Sequence, residues 1–144
     1  LWKDRDIIII DMPPGTGDTQ LTFAQEVKVD GAVIVSTPQD LALLDVKRGI
    51  EMFNKTGVKI LGLISNMSYF KGDDGKKYNI FGDEGVKKTA DEFKVKFLGE
   101  LALNQDLRIA SDTGEPLTFS QPEHEVSKQF ESLAQLIKLS LINK

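Results

Sequence analysis

The sequence predicts an α/β fold, a parallel sheet covered by helices on both faces, and two observations lead there. Strand-length runs of aliphatic residues, among them Ile7–Ile10, Ala32–Val35 and Ile60–Ile64, alternate with stretches whose apolar residues recur at helical spacing. Those runs end in turn or capping residues, at Pro13-Pro14-Gly15, Thr37-Pro38 and Asn66. Strands that alternate with helices form βαβ units, whose right-handed crossovers lay the strands parallel and cover both faces.

The first element is Asp6-Ile7-Ile8-Ile9-Ile10-Asp11, a β-branched run that reads as a strand buried on both faces. Asp18 is a candidate N-cap for a helix over about Thr19–Val27. Gly31–Ser36 is the second strand. In the helix after it Thr37 can cap, Pro38 suits the first position, Leu43, Val46, Ile50 and Phe53 share a face, and Gly57 ends the run. Lys59–Asn66 and Val95–Gly99 make a third and a fourth strand. Between them a hairpin over Met67–Phe81 turns at Asp73-Asp74-Gly75, and a helix aligns Val86, Ala90 and Phe93. A short helix near Gln105–Ser111 and a long one beginning at Pro122, with Val126, Phe130, Leu133 and Ile137 on one face, complete the reading. Tyr69, Phe70, Tyr78 and Phe81 are expected to form a small core under the hairpin or a partner-binding face, and His124 a lone surface histidine.

With 144 residues, no internal repeat and no linker, residues 1–144 read as a single α/β domain. The net charge of −4, from 18 Lys and Arg against 22 Asp and Glu, argues against nucleic acid as a partner. No cysteine occurs, so this chain offers no disulfide and no thiolate to hold zinc or an iron–sulfur cluster, and a single histidine makes no cluster either. No apolar run approaches the ~20 residues that span a membrane, and the expectation is a cytoplasmic protein without a membrane partner.

In an open parallel sheet the ligand lies outside the carboxyl ends of the strands. Four segments belong there: Asp11–Asp18, Thr37–Asp40, Asn66–Ser68 and Glu100–Leu103. A carboxylate at a strand end suits hydrated Mg²⁺, and the glycines after Asp11 let backbone N–H groups approach a phosphate. The same residues also read as an ordinary turn. Asn66, likewise, can cap its own turn or pair with a base through its amide donor and acceptor.

The segment Ile9-Ile10-Asp11-Met12-Pro13-Pro14-Gly15-Thr16-Gly17-Asp18 resembles the switch region of the deviant-Walker P-loop ATPases, specifically the Mrp/ApbC iron–sulfur cluster carriers related to MinD and ParA. Gly31–Asp40, Asn66-Met67-Ser68-Tyr69-Phe70, Ile80-Phe81-Gly82 and Arg108–Pro116 resemble further motifs of that group, in order, from about Asp6 to Pro122. The resemblance implies ATP as ligand and Mg²⁺ as cofactor. It makes Asp11 the metal-linked acid and, with Gly15, the catalytic pair. Pro14, Gly15, Thr16, Asn66 and Leu101 become nucleotide contacts, Asn66 at the adenine. It also implies a homodimer, with Asp45 near its interface or simply a solvated helix acid, and iron–sulfur recipient proteins as partners. A MinD/ParA-like positioning ATPase and a phosphate-switched receiver-type module are the alternatives.

Two departures qualify the resemblance. No G-x-x-x-x-G-K-[ST] loop occurs. The loop is expected upstream of Leu1, so the sequence reads as the C-terminal part of the ATPase and is expected to bind ATP poorly by itself. Relatives with a Cys-x-x-Cys pair place it where this chain has Lys71-Gly72-Asp73-Asp74-Gly75. A carboxylate can ligate iron, but turn chemistry accounts for Asp73 and Asp74 more simply. If the absent P-loop strand belongs between Ile7–Asp11 and Ala32–Ser36, those two strands either pair directly or face an open gap.

Overall fold

A computed structural model describes residues 3–13, 15 and 17–142. In chain order the elements are α1 (Asp18–Glu26), β1 (Ala32–Ser36), α2 (Asp40–Thr56), β2 (Ile60–Ser65), β3 (Phe70–Lys71) and β4 (Lys77–Tyr78). They continue with α3 (Gly85–Glu92), β5 (Phe97–Glu100), α4 (Gln105–Thr113), α5 (Leu117–Ser120) and α6 (Glu125–Ile142). Strands β1, β2 and β5 form a parallel sheet in that order, and β3 and β4 an antiparallel hairpin.

The period-2 alternation along β2 divides the core between two helical layers. Leu63 joins Val46 and Ile50 of α2 and Val86 and Ala90 of α3, while its neighbour Ile64 joins Leu98, Leu101 and Leu133 of α6 on the other face. Leu63 and Ile50 are fully buried, each stabilising the fold by about 1.5–3 kcal/mol relative to exposure. A third cluster of Ala110, Leu117 and Val126 seats α4 and α5 on the start of α6. The left-handed Gly57 lets the Val58 N–H reach the Phe53 carbonyl at 3.0 Å and so close the end of α2. Gly114 closes α4 in the same way.

Several expectations are corrected. Ile7–Asp11 belongs to no strand, so the parallel strands number three among the described residues rather than four. The side chains of Ile7–Ile10 are between 46% and 91% exposed. β-branched residues favour a pleated, half-buried surface, but a strand exists only where a neighbour takes its backbone groups, and among the described residues β1 is laddered to β2 alone. Of the two outcomes expected for the sheet, direct pairing of Ile7–Asp11 with β1 does not occur.

Helix starts also shift. Gly17, not Asp18, is the N-cap of α1, and Asp18 sits in the first turn, where a carboxylate favours the helix dipole. Helix α2 begins at Asp40 behind Gln39, while the Thr37 hydroxyl bonds the Gln39 side chain at 2.8 Å. Helix α6 begins at Glu125 instead of Pro122. His124 is three-quarters buried or more, and its Nδ1 accepts the Val126 N–H at 3.1 Å, so it caps the helix rather than standing free on the surface. Of the four hairpin aromatics Tyr69 is buried, whereas Phe70 and Tyr78 are exposed.

Candidate site at the carboxyl ends of the strands

Beyond the last paired residues of β1, β2 and β5, backbone hydrogen bonds keep the loops together. The Asn66 N–H donates to the Ser36 carbonyl at 2.7 Å, and the Leu101 N–H to the Ser65 carbonyl at 2.8 Å. The Ser68 N–H returns to the Leu101 carbonyl at 2.9 Å, and the Leu103 N–H to the Tyr69 carbonyl at 2.7 Å. Asn66 and Leu101, expected to share a ligand, are therefore brought to one edge by the sheet register itself.

Between the two buried serines, Asn66 and Met67 arch outward, with Met67 in the left-handed region at φ 53°. The Asn66 Oδ1 accepts the Met67 N–H at 3.0 Å, so Asn66 does cap its own turn. That bond leaves the Nδ2 group to donate to a ligand. Below the arch the Ser68 hydroxyl lies 2.6 Å from the Ser65 hydroxyl and 3.1 Å from the Ser65 carbonyl. The role of Ser65 escaped the sequence reading, because a serine ending a strand looks the same whether or not its hydroxyl is paired.

Asp11 and Gly15 are placed differently. Asp11 is exposed, and Gly15 has φ 95° with open space where a Cβ would stand. Gln20 Nε2 donates to the Pro13 carbonyl at 3.2 Å and ties this loop to α1. Among the described residues no hydrogen bond or ion pair joins Asp11 or Gly15 to Asn66 or Leu101. Pro14 and Thr16 lie outside the described residues. No group of three or more acidic or histidine side chains converges on a metal position among the described residues. A lone carboxylate such as Asp11 suits Mg²⁺, which keeps its waters and takes one or two carboxylates beside substrate phosphates.

The hairpin is fastened to the same edge by charge. Lys77 Nζ lies 2.8 Å from Glu100 Oε1 and 3.9 Å from the centre of the Tyr69 ring. The hydrogen bond to Glu100 holds Lys77 above its ordinary pKa. Lys71 and Glu125 pair at 2.8 Å, which raises the lysine and lowers the glutamate. In the turn, Asp74 accepts the Lys76 N–H at 3.0 Å and the Tyr78 hydroxyl at 2.9 Å, and those bonds, the backbone one first, lower its pKa. Both Asp74 oxygens thus serve the turn. A cleft of about 320 Å³ beside this edge is lined by Ser65, Ser68, Asn79, Lys87 and Glu100.

Comparison with known proteins places this geometry in a family. The profile described as NUBPL iron-transfer P-loop NTPase, of the ParA group, matches residues 1–138. The chain belongs to this P-loop NTPase family. It is 46% identical to the iron–sulfur cluster transfer protein NUBPL of Dictyostelium discoideum, over 99% of this chain and 45% of that protein. Against the iron–sulfur protein required for NADH dehydrogenase, mitochondrial, of Arabidopsis thaliana, the identity is 50% over 93% of this chain and 43% of that one. A solved nucleotide-binding protein of Archaeoglobus fulgidus in complex with ADP superimposes with a TM-score of 0.65 at 40% identity, covering 72% of this chain and 43% of that one. The chain thus spans less than half the length of each of these proteins. Asp45, read as an interface acid or a solvated one, is exposed on α2 and pairs with Arg48 at 3.2 Å. No helix among the described residues is long and apolar enough to cross a membrane.

Proposed function

We propose that this chain supplies the base-binding and metal-side half of the ATP site in a nucleotide-gated iron–sulfur cluster carrier. The observation that carries the reading is the hydrogen-bonded edge that joins Ser36, Asn66 and Leu101, in a chain whose relatives are named as cluster carriers and whose solved neighbour holds ADP. Asn66 Nδ2 would donate to the adenine, and Leu101 would lie beside it. Asp11 would hold the hydration shell of Mg²⁺, and the Gly15 N–H would face the terminal phosphate. Bound there, Mg²⁺ would offset phosphate charge and polarise the bond to be cleaved.

In this reading these residues supply the base contact and the metal side of the site, but not the phosphate cradle. A phosphate cradle needs a run of backbone N–H groups and a lysine, and the glycine-rich sequence that makes one is not within these 144 residues. In this reading the cradle comes from further polypeptide, which also covers Ile7–Ile10 and Val35, the latter 57% exposed at the edge of the sheet. Residues 1–144 then form part of one α/β nucleotide-binding domain, working as a homodimer in the cytoplasm, with iron–sulfur recipient proteins as partners. Cysteines for the cluster would also lie outside this chain, since it has none.

The test is transfer. The polypeptide that carries this chain in the cell is reconstituted with ferric iron and sulfide and mixed with a cluster-free acceptor protein, with and without Mg-ATP. The visible cluster absorption should pass to the acceptor at a rate that depends on Mg-ATP. Failure to bind a cluster, or transfer indifferent to nucleotide, contradicts the reading.

A further inference from the structure

We propose that Ser68 is a positioning residue for base recognition: with Ser65 it fixes the Asn66 turn against Leu101, so that the two contacts act as one unit. The proposal rests on the reading of Asn66 given above. Both serines are nine-tenths buried or more. Neither would touch the base.

The bonds form a closed ring. The Ser65 carbonyl accepts the Leu101 N–H at 2.8 Å and lies 3.1 Å from the Ser68 hydroxyl, and the Leu101 carbonyl accepts the Ser68 N–H at 2.9 Å. The Ser68 hydroxyl also lies 2.6 Å from the Ser65 hydroxyl, which fastens the two ends of the arch directly. Only Asn66 and Met67 lie between those ends. Met67 holds a left-handed conformation that a non-glycine residue keeps only where its surroundings impose it. Release of the Ser68 hydroxyl would let the arch relax, and the Asn66 amide would lose its fixed place relative to Leu101. The hydrophobic core would change little, since alanine fills almost the same volume.

A double-mutant cycle separates positioning from mere support. Ser68→Ala, Asn66→Ala and the double variant are made in the polypeptide that carries this chain, and calorimetry gives Kd for Mg-ATP and for Mg-tripolyphosphate, which has no base. Ser68→Ala should weaken Mg-ATP roughly five- to tenfold, the size of one coupled hydrogen bond. It should leave tripolyphosphate unchanged, have no further effect once Asn66 is alanine, and be rescued in part by Ser68→Thr. Equal loss in both backgrounds, loss for tripolyphosphate as well, or no loss for ATP overturns the proposal. If Asn66→Ala itself leaves ATP affinity unchanged, the base reading fails first and the positioning role with it. Should Ser68→Ala not fold, Ser65→Ala, which removes the hydroxyl partner and keeps the carbonyl, enters the same cycle, with a smaller loss expected for Mg-ATP, none for tripolyphosphate and none once Asn66 is alanine; no loss for Mg-ATP overturns the proposal.

Discussion

The Asn66 N–H donates to the Ser36 carbonyl at 2.7 Å, one residue beyond the last ladder pair of β1 and β2. That bond carries the sheet register into the loops, so Thr37 and Asn66 leave the sheet side by side. A ligand at this edge would meet an Asn66 side chain whose backbone is fixed by the sheet register. Such preorganisation lowers the ordering cost of binding.

Asp11 should matter for turnover and not for adenine binding. In the polypeptide that carries this chain, Asp11→Asn is expected to lower Mg²⁺-dependent ATP hydrolysis by at least about 10²-fold, because the metal shell loses a charge. ATP binding should survive in weakened form. Steady-state hydrolysis with and without Mg²⁺ reads this directly, and an unchanged rate removes Asp11 from the metal role.

Gly62 lies where β2 packs closely on the chain entering β5. A Cβ there would stand 2.7 Å from the Lys96 carbonyl oxygen and 2.5 Å from Leu98 Cγ. The Leu63 N–H bonds that same carbonyl at 2.8 Å, so the backbone cannot withdraw without losing a ladder bond. Gly62→Ala should therefore destabilise the fold by about 1–3 kcal/mol, the usual cost of overpacking. Thermal or denaturant unfolding checks it. A Tm equal to wild type would show that the strands have room to spare.

The hairpin should loosen at both extremes of pH. Asp74 and Glu125 have lowered pKa values, so what they contribute is complete above their ordinary values of 3.8 and 4.5 and is lost as pH falls through the depressed ones. Lys71 and Lys77 are raised, so their contribution is complete below 10.5 and lost as pH climbs through the raised values. Hydrogen exchange at the Gly72 and Lys76 amides, corrected for its intrinsic pH dependence, should show constant protection in the window between and falling protection below about pH 4. High salt should weaken the same protection, because these pairs are exposed. Constant protection down to pH 3 would mean that backbone pairing alone holds the hairpin.

Local signals made three of the four expected parallel strands, the turn at Asp74-Gly75 and the stop at Gly57 legible in the sequence, since periodicity and left-handed glycine act within a few residues. Ile7–Asp11 misled for the converse reason. Its side chains ask for a strand, but the ladder that makes one has to be supplied by a neighbour distant in sequence. His124 and Ser65 were misread or missed because a cap and a buried hydroxyl pair depend on which groups the fold brings within 3 Å or so, and residue type does not reveal that. Of the candidate site, Asn66 and Leu101 lie at one edge of the sheet, linked through Ser65 and Ser68, and their contact with a nucleotide is a proposal. The relation of Asp11 and Gly15 to them is a proposal.

The most direct test of the account is a crystal structure of the polypeptide that carries this chain with Mg-ADP bound. The account predicts the adenine within hydrogen-bonding distance of Asn66 Nδ2, about 2.7–3.2 Å, beside Leu101 and above the Ser65–Ser68 pair. Adenine bound elsewhere, with Asn66 occupied only by its own turn, would contradict it.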